Sequence, residues 1–166
     1  MEDIISKGIP FSNSIKLHDE IGNIKKEKAS LAKAAFKNAE NFYICSAILF
    51  KESIQFINVA SVNLAFACEL YLKAMLYKLD INFGRIHGLY ELYQLLPVEC
   101  QDRIKENIEF KYDKNENVEL VLKEISDAFV FLRYSHERKA IISNWGGLSA
   151  IATAIMKVAR IIMDEK

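Results

Sequence analysis

The stretch from Ser53 to about Leu79 constrains the fold most. Ile54, Ile57, Leu64, Cys68, Leu72, Met75 and Leu79 recur every three or four residues, the spacing of one helix face. The other side, with Phe66, Leu70 and Tyr77, is hardly less apolar. A helix that is hydrophobic nearly all round must be enclosed by several neighbours, so this segment is expected to be the central one. Yet Glu69 and Lys73 sit four apart in its middle, within NLAFACELYLKAMLY. On an exposed helix such a pair contributes only about 0.2–0.5 kcal/mol. That is too little to account for two buried charges, each of which costs several kcal/mol unless partners satisfy it. Either this strip reaches solvent or other polar groups meet it.

The rest of the chain reads as further helices. From about Lys25 to Phe50, Leu31, Ala35, Phe42, Ala47 and Phe50 recur at helical spacing with lysines between. His87 to Leu96 is a short helix closed by Pro97, and a second short one runs from about Val98 to Ile108. A charged loop, Lys111 to Asn117, leads into a helix ending near His136 that carries Val118, Val121, Leu122, Ile125, Phe129 and Leu132 on one face. Ser143 or Asn144 can cap the last helix, which places Leu148, Ile151, Ile155, Val158 and Ile162 inward. With only 6 glycines, 2 prolines and no stretch alternating at period two, an all-β fold is excluded. The expectation is an all-α, antiparallel helical bundle of four long helices plus two short ones. Residues 1–24, with Gly8, Pro10 and Gly22, read as an N-terminal arm or loop, and 25–166 as one helical domain.

Lys+Arg (22) balances Asp+Glu (22), so nucleic acid cannot be held by the field of the whole molecule. A local patch is required. Lys25, Lys26, Lys28, Lys33 and Lys37 form one candidate, though a solvated helix face is the preferred explanation of them. Arg133, His136, Arg138 and Lys139 form another. The three cysteines, Cys45, Cys68 and Cys100, show no metal-ligand spacing, so neither structural zinc nor any other cofactor is expected. Free thiols among apolar residues fit a reducing cytoplasm, and the acidic N-terminus does not resemble a signal peptide. Two uncharged runs, Ser53–Cys68 and Ala140–Met156, fall short of the roughly 18 apolar residues of a spanning helix. No membrane is expected.

Partners for Glu69 and Lys73 exist on other segments. FLRYSHERK places Arg133 three residues before His136 and four before Glu137, both neighbouring positions on a helix. His87 opens a short helix. Glu69, Lys73, His87, Arg133 and Glu137 are therefore expected to form one polar network across three helices. It serves either to fix helix register or to hold phosphate or RNA. In the second case His136 moves a proton beside Arg133, which stabilises anionic charge. Trp145-Gly146-Gly147 presents backbone N–H groups at a helix start or is a plain turn. Tyr71, Tyr77, Tyr90 and Tyr93 read as core-edge residues rather than a base-stacking platform. Glycine-rich phosphate loops, HExxH and GxSxG are absent.

NLAFACELYLKAMLY, then HGLYELYQLLP, then AFVFLRYSHE resemble, in order, spacing and helical setting, the HEPN superfamily of small helical domains. The resemblance covers roughly Ser53 to Glu137. It implies an antiparallel bundle that often dimerises. Many members are metal-independent ribonucleases of toxin–antitoxin or anti-phage systems, and others bind nucleotides or protein partners without catalysis. An antitoxin or nucleotidyltransferase protein is the implied partner class. Active members use an arginine and a histidine separated by four to six residues at a dimer cleft. Here Arg133-Tyr-Ser-His136 leaves only two between, and the nearest pair of the expected length, Arg138 to Asn144, ends in an amide that exchanges no proton. The resemblance thus points to the fold more strongly than to catalysis. The rival expectation is a non-catalytic dimerisation or protein-interaction module.

Overall fold

The computed structural model describes residues 11–109, 118–133 and 145–165, with 11–22, 127–133 and 145 described as backbone only. Among the described residues the helices are α1 (Phe11–Glu52), α2 (Ile57–Lys78), α3 (Leu89–Gln94), α4 (Val98–Glu106), α5 (Val118–Arg133) and α6 (Trp145–Asp164), with a 3-10 turn, Ile54–Phe56, joining α1 to α2. No strand occurs among them. The all-α bundle of four long and two short helices is the observed architecture.

The apolar circumference of α2 explains its place. Its buried residues include the consecutive runs Ala67, Cys68, Glu69 and Ala74, Met75, Leu76, which point in different directions around the axis. Helices α1, α3, α5 and α6 all pack on it. The α1–α2 pair is antiparallel, as the ring contacts Phe36–Tyr71 (5.5 Å) and Phe42–Phe66 (4.6 Å) show. At the far end Lys28 pairs with Asp80. Helix α6 runs in the same direction as α2, since Lys78 Nζ donates to the backbone oxygen of Glu165 at 2.6 Å. Tyr43 and Thr153 share a hydrogen bond of 3.0 Å, and Arg160 pairs with Glu40 at 3.0 Å, which ties α6 to α1. Tyr71, Tyr93, Leu72, Met75, Leu122, Leu148, Ile151 and Ile155 fill the centre.

Three expectations need correction. Residues 11–24, expected as loop, belong to α1. Gly22 costs this long helix only about 1 kcal/mol relative to alanine, and cooperative propagation carries the helix through it. The central helix does not start at Ser53. Ser53 instead caps the 3-10 turn, its hydroxyl accepting from the Gln55 N–H at 3.3 Å. Finally, Ile54–Lys78 and Gly146–Asp164 are long and apolar enough to cross a membrane by length and composition. The uncharged runs were shorter because they stopped at Glu69 or short of α6's end. In the bundle 67% and 56% of these windows is buried against other helices, as in the core helices of a globular domain. The charged loop 111–117 and the capping residues Ser143 and Asn144 lie outside the described residues.

Burial of titratable groups makes the fold sensitive to alkali. Burial pushes the Cys68 thiol up to about 12. Burial, then the charge of Glu119, pushes the Tyr93 phenol up to about 12. Tyr71, whose buried hydroxyl has no hydrogen-bond partner among the described residues, is raised further, first by burial and then by Glu40. In the unfolded chain a thiol titrates near about 8.5 and a phenol near about 10. Between those values and the folded ones the unfolded chain binds fewer protons, so stability is full below about pH 8.5 and falls as pH rises. Cys68 alone contributes a slope of about 1.4 kcal/mol per pH unit. Urea midpoints measured from pH 8 to 11 are expected to decline, less steeply in Cys68→Ala. A flat profile would contradict this burial.

Candidate functional site

The segment after α2 is built to bring one side chain back over that helix. Helix α2 ends in a paired reverse turn: Ile81 N donates to the Leu76 oxygen (2.8 Å) and Asp80 N to the Tyr77 oxygen (3.2 Å). Asp80 takes the left-handed conformation this turn requires, at φ 60°, a region that aspartate tolerates better than most residues. Lys28 holds it, and that hydrogen bond, then the lysine's charge, keeps the Asp80 carboxyl below the usual range. Next, Asn82 Oδ1 accepts from Gly84 N (3.1 Å), and Gly84 itself sits at φ 56°. Between them the buried Phe83 ring meets Tyr77 edge-on at 4.8 Å. The chain then turns through Ile86 N to the Phe83 oxygen (3.2 Å). His87 follows.

His87 Nδ1 lies 2.8 Å from Glu69 Oε1, and Lys73 Nζ donates to the same oxygen at 2.7 Å. The two nitrogens are 3.4 Å apart. Because an ionised carboxylate only accepts, the 2.8 Å contact needs the imidazole proton on Nδ1. That nitrogen then has no lone pair for Lys73, so the 3.4 Å approach is two donors sharing one acceptor. The Glu69 side chain is 4% exposed, that of Lys73 15% and that of His87 71%. A buried carboxylate thus carries one largely covered lysine and one surface imidazole. Lys73 Nζ also lies 5.7 Å from the centre of the Phe83 ring, a weak cation–π approach.

Three of the five expected network members, Glu69, Lys73 and His87, are therefore together. Helix α5 runs past this region: Ser126 Oγ accepts from Tyr90 N at 3.1 Å, and Lys123 Nζ lies 4.4 Å over the Tyr90 ring. Arg133 closes α5, seven residues beyond Ser126, about 10 Å along the axis. Its side chain is not described, and His136, Glu137, Arg138 and Lys139 lie outside the described residues. Of the lysine cluster, Lys25, Lys26, Lys33 and Lys37 are exposed, whereas Lys28 is committed to Asp80. Tyr71 and Tyr93 are buried; Tyr77 and Tyr90 are half-buried. Trp145 opens α6.

Sequence reasoning missed Phe83 and Asp80, the residues that aim the loop. Asn82 and Gly84 are turn-forming residue types, but nothing in their spacing says that the turn folds back onto Glu69. Among the described residues no group of three or more His, Cys, Asp or Glu side chains is placed to hold a metal ion. Cys45 is exposed, Cys68 and Cys100 are buried, and all three are free thiols.

No curated protein and no solved structure matches this chain. The HEPN domain family matches residues 32–166, which include the second half of α1, the whole Glu69–Lys73–His87 cluster and every later helix. The chain belongs to the HEPN domain family.

Proposed function

We propose that this protein is a cytoplasmic RNA- or nucleotide-associated module of a prokaryotic defence or toxin–antitoxin system, acting as a metal-independent ribonuclease. One observation carries the reading: a buried carboxylate supports an ammonium and a solvent-facing imidazole on one surface. A register lock alone has no need of an imidazole left 71% exposed. Phosphate recognition needs a cation near the surface, and strand cleavage needs a group that moves a proton. Arg133 is assigned to the phosphate and His136 to proton transfer, with Glu137 orienting them and Arg138 and Lys139 contacting the nucleic-acid backbone. Family membership supports the class, since many relatives are ribonucleases or nucleotide binders. Purified protein incubated with single-stranded RNA and a chelator is expected to cleave it. Arg133→Ala/His136→Ala is expected to lower the rate by at least about 100-fold. Unchanged cleavage in the double variant would remove these two residues from the reaction.

A second reading, a non-catalytic dimerisation or interaction module, is favoured by a different observation. Ile44 and Ile48 are exposed one turn apart on α1, and Ile54, Phe56 and Val59 are exposed where α1 turns into α2. Apolar groups gathered on a surface mark protein contacts. A homodimer, or a complex with an antitoxin or nucleotidyltransferase protein, covers them. A dimer mass by light scattering together with intact RNA in the cleavage assay selects this second reading.

A further inference from the structure

We infer that Glu69 and His87 form a carboxylate–imidazole dyad in which His87 Nε2 is a general base toward a hydroxyl group beside a phosphate. This is a proton-moving group separate from His136, and the inference rests on the RNA reading above.

The hydrogen bond from Nδ1 to Glu69 Oε1 selects one tautomer of the neutral ring and leaves the lone pair on Nε2. Which nitrogen faces the reaction is thus decided by a buried group. Glu69 holds the ring from below, while the ring itself stands largely in solvent, where a polymer can reach it. Orientation of this kind is what an acid does for a histidine base in hydrolases of unrelated fold. The loop adds rigidity: Phe83 is packed under Lys73 and against Tyr77, and the turns at Asp80 and Gly84 leave His87 a short tether. Lys73 supplies positive charge beside the ring, and Arg85, exposed two residues earlier, supplies more. Both suit a phosphodiester.

On RNA the step balances without a metal. Nε2 takes the proton of a ribose 2′-hydroxyl while O2′ forms a bond to the adjacent phosphorus. The P–O5′ bond breaks, its electron pair stays on O5′, and water protonates that oxygen. The imidazolium returns its proton to the hydroxide so formed. A 2′,3′-cyclic phosphate and a 5′-hydroxyl result. His87 touches the reacting atoms; Glu69 is a positioning residue.

The test uses the full chain, an end-labelled single-stranded RNA and a chelator. His87→Asn can still donate to Glu69 but lacks the base. Its expected kcat is at least about 100-fold lower, with RNA affinity by fluorescence anisotropy unchanged. Glu69→Gln is expected to lower kcat by at least about tenfold at unchanged KM. It should also shift the His87 tautomer signature in nitrogen-15 NMR, a change that loss of packing alone does not produce. A 2′-deoxy nucleotide at the cleaved position should abolish cutting. If His87→Asn cleaves within about twofold of the parent, the dyad is wrong and the ribonuclease reading stands. A parent protein that binds RNA without cutting it overturns the dyad but keeps the binding role. One that neither binds nor cuts overturns both.

Discussion

Lys73→Met is expected to destabilise the fold by about 3 kcal/mol, several times what a surface pair of the same spacing contributes. The reason is the environment of Glu69. Its side chain is 4% exposed and its Oε1 accepts from Lys73 at 2.7 Å and His87 at 2.8 Å. Removing the lysine leaves a carboxylate in the helix bundle with a single, solvent-facing imidazole for company. The desolvation cost of the anion is then no longer offset. Glu69→Met/Lys73→Met removes both charges and keeps the volume, so it is expected to lie closer to the parent than the single variant does. Chemical denaturation of the two variants decides the matter. A Lys73→Met cost below about 0.5 kcal/mol would mean that the pair behaves as an exposed one.

Leu72→Ala is expected to cost about 3 kcal/mol through the cavity it leaves. In a chain of this size that lowers the melting temperature by about 10 °C. Leu72 has no exposed surface and sits in the middle of α2, where helices converge from several sides. Such a site cannot collapse by moving one neighbour, because each neighbour is held by the others. Ile161→Ala is the control: Ile161 is 47% exposed on α6, and its loss should change stability by less than about 0.5 kcal/mol. Similar costs at the two positions would mean that α2 is not the central helix.

Periodicity made α2 legible because every face of it is apolar, and an all-apolar helix has few places to go. The same reasoning found the short helices around Leu89 and Val98, the inward face of α6 and, on α5, the buried Val121, Leu122 and Ile125. It failed at residues 11–24, where apolar residues keep no rhythm; that stretch is helical through continuity with the long helix after it. It also misjudged the uncharged runs as bounded by their first charge. Within α2 the charges of Glu69 and Lys73 answer each other, so the helix passes through them.

The candidate site divides in the same manner. Spacing by itself paired Glu69 with Lys73, since residues four apart on a helix are always neighbours. It also named His87 and Arg133 as residues able to meet them. Chain order could not say that His87, 18 residues after Glu69, lands on the same carboxylate oxygen. That depends on left-handed backbone at Asp80 and Gly84 and on Phe83 seated against Tyr77, which are long-range packing outcomes. Local periodicity therefore determined most of the helices, the enclosure of α2, the inward face of α6 and the charges needing partners, whereas on α1 it named Leu31, Ala47 and Phe50, which are exposed. Only the folded bundle decided which imidazole reaches the buried acid, because a loop's direction is set by what it packs against.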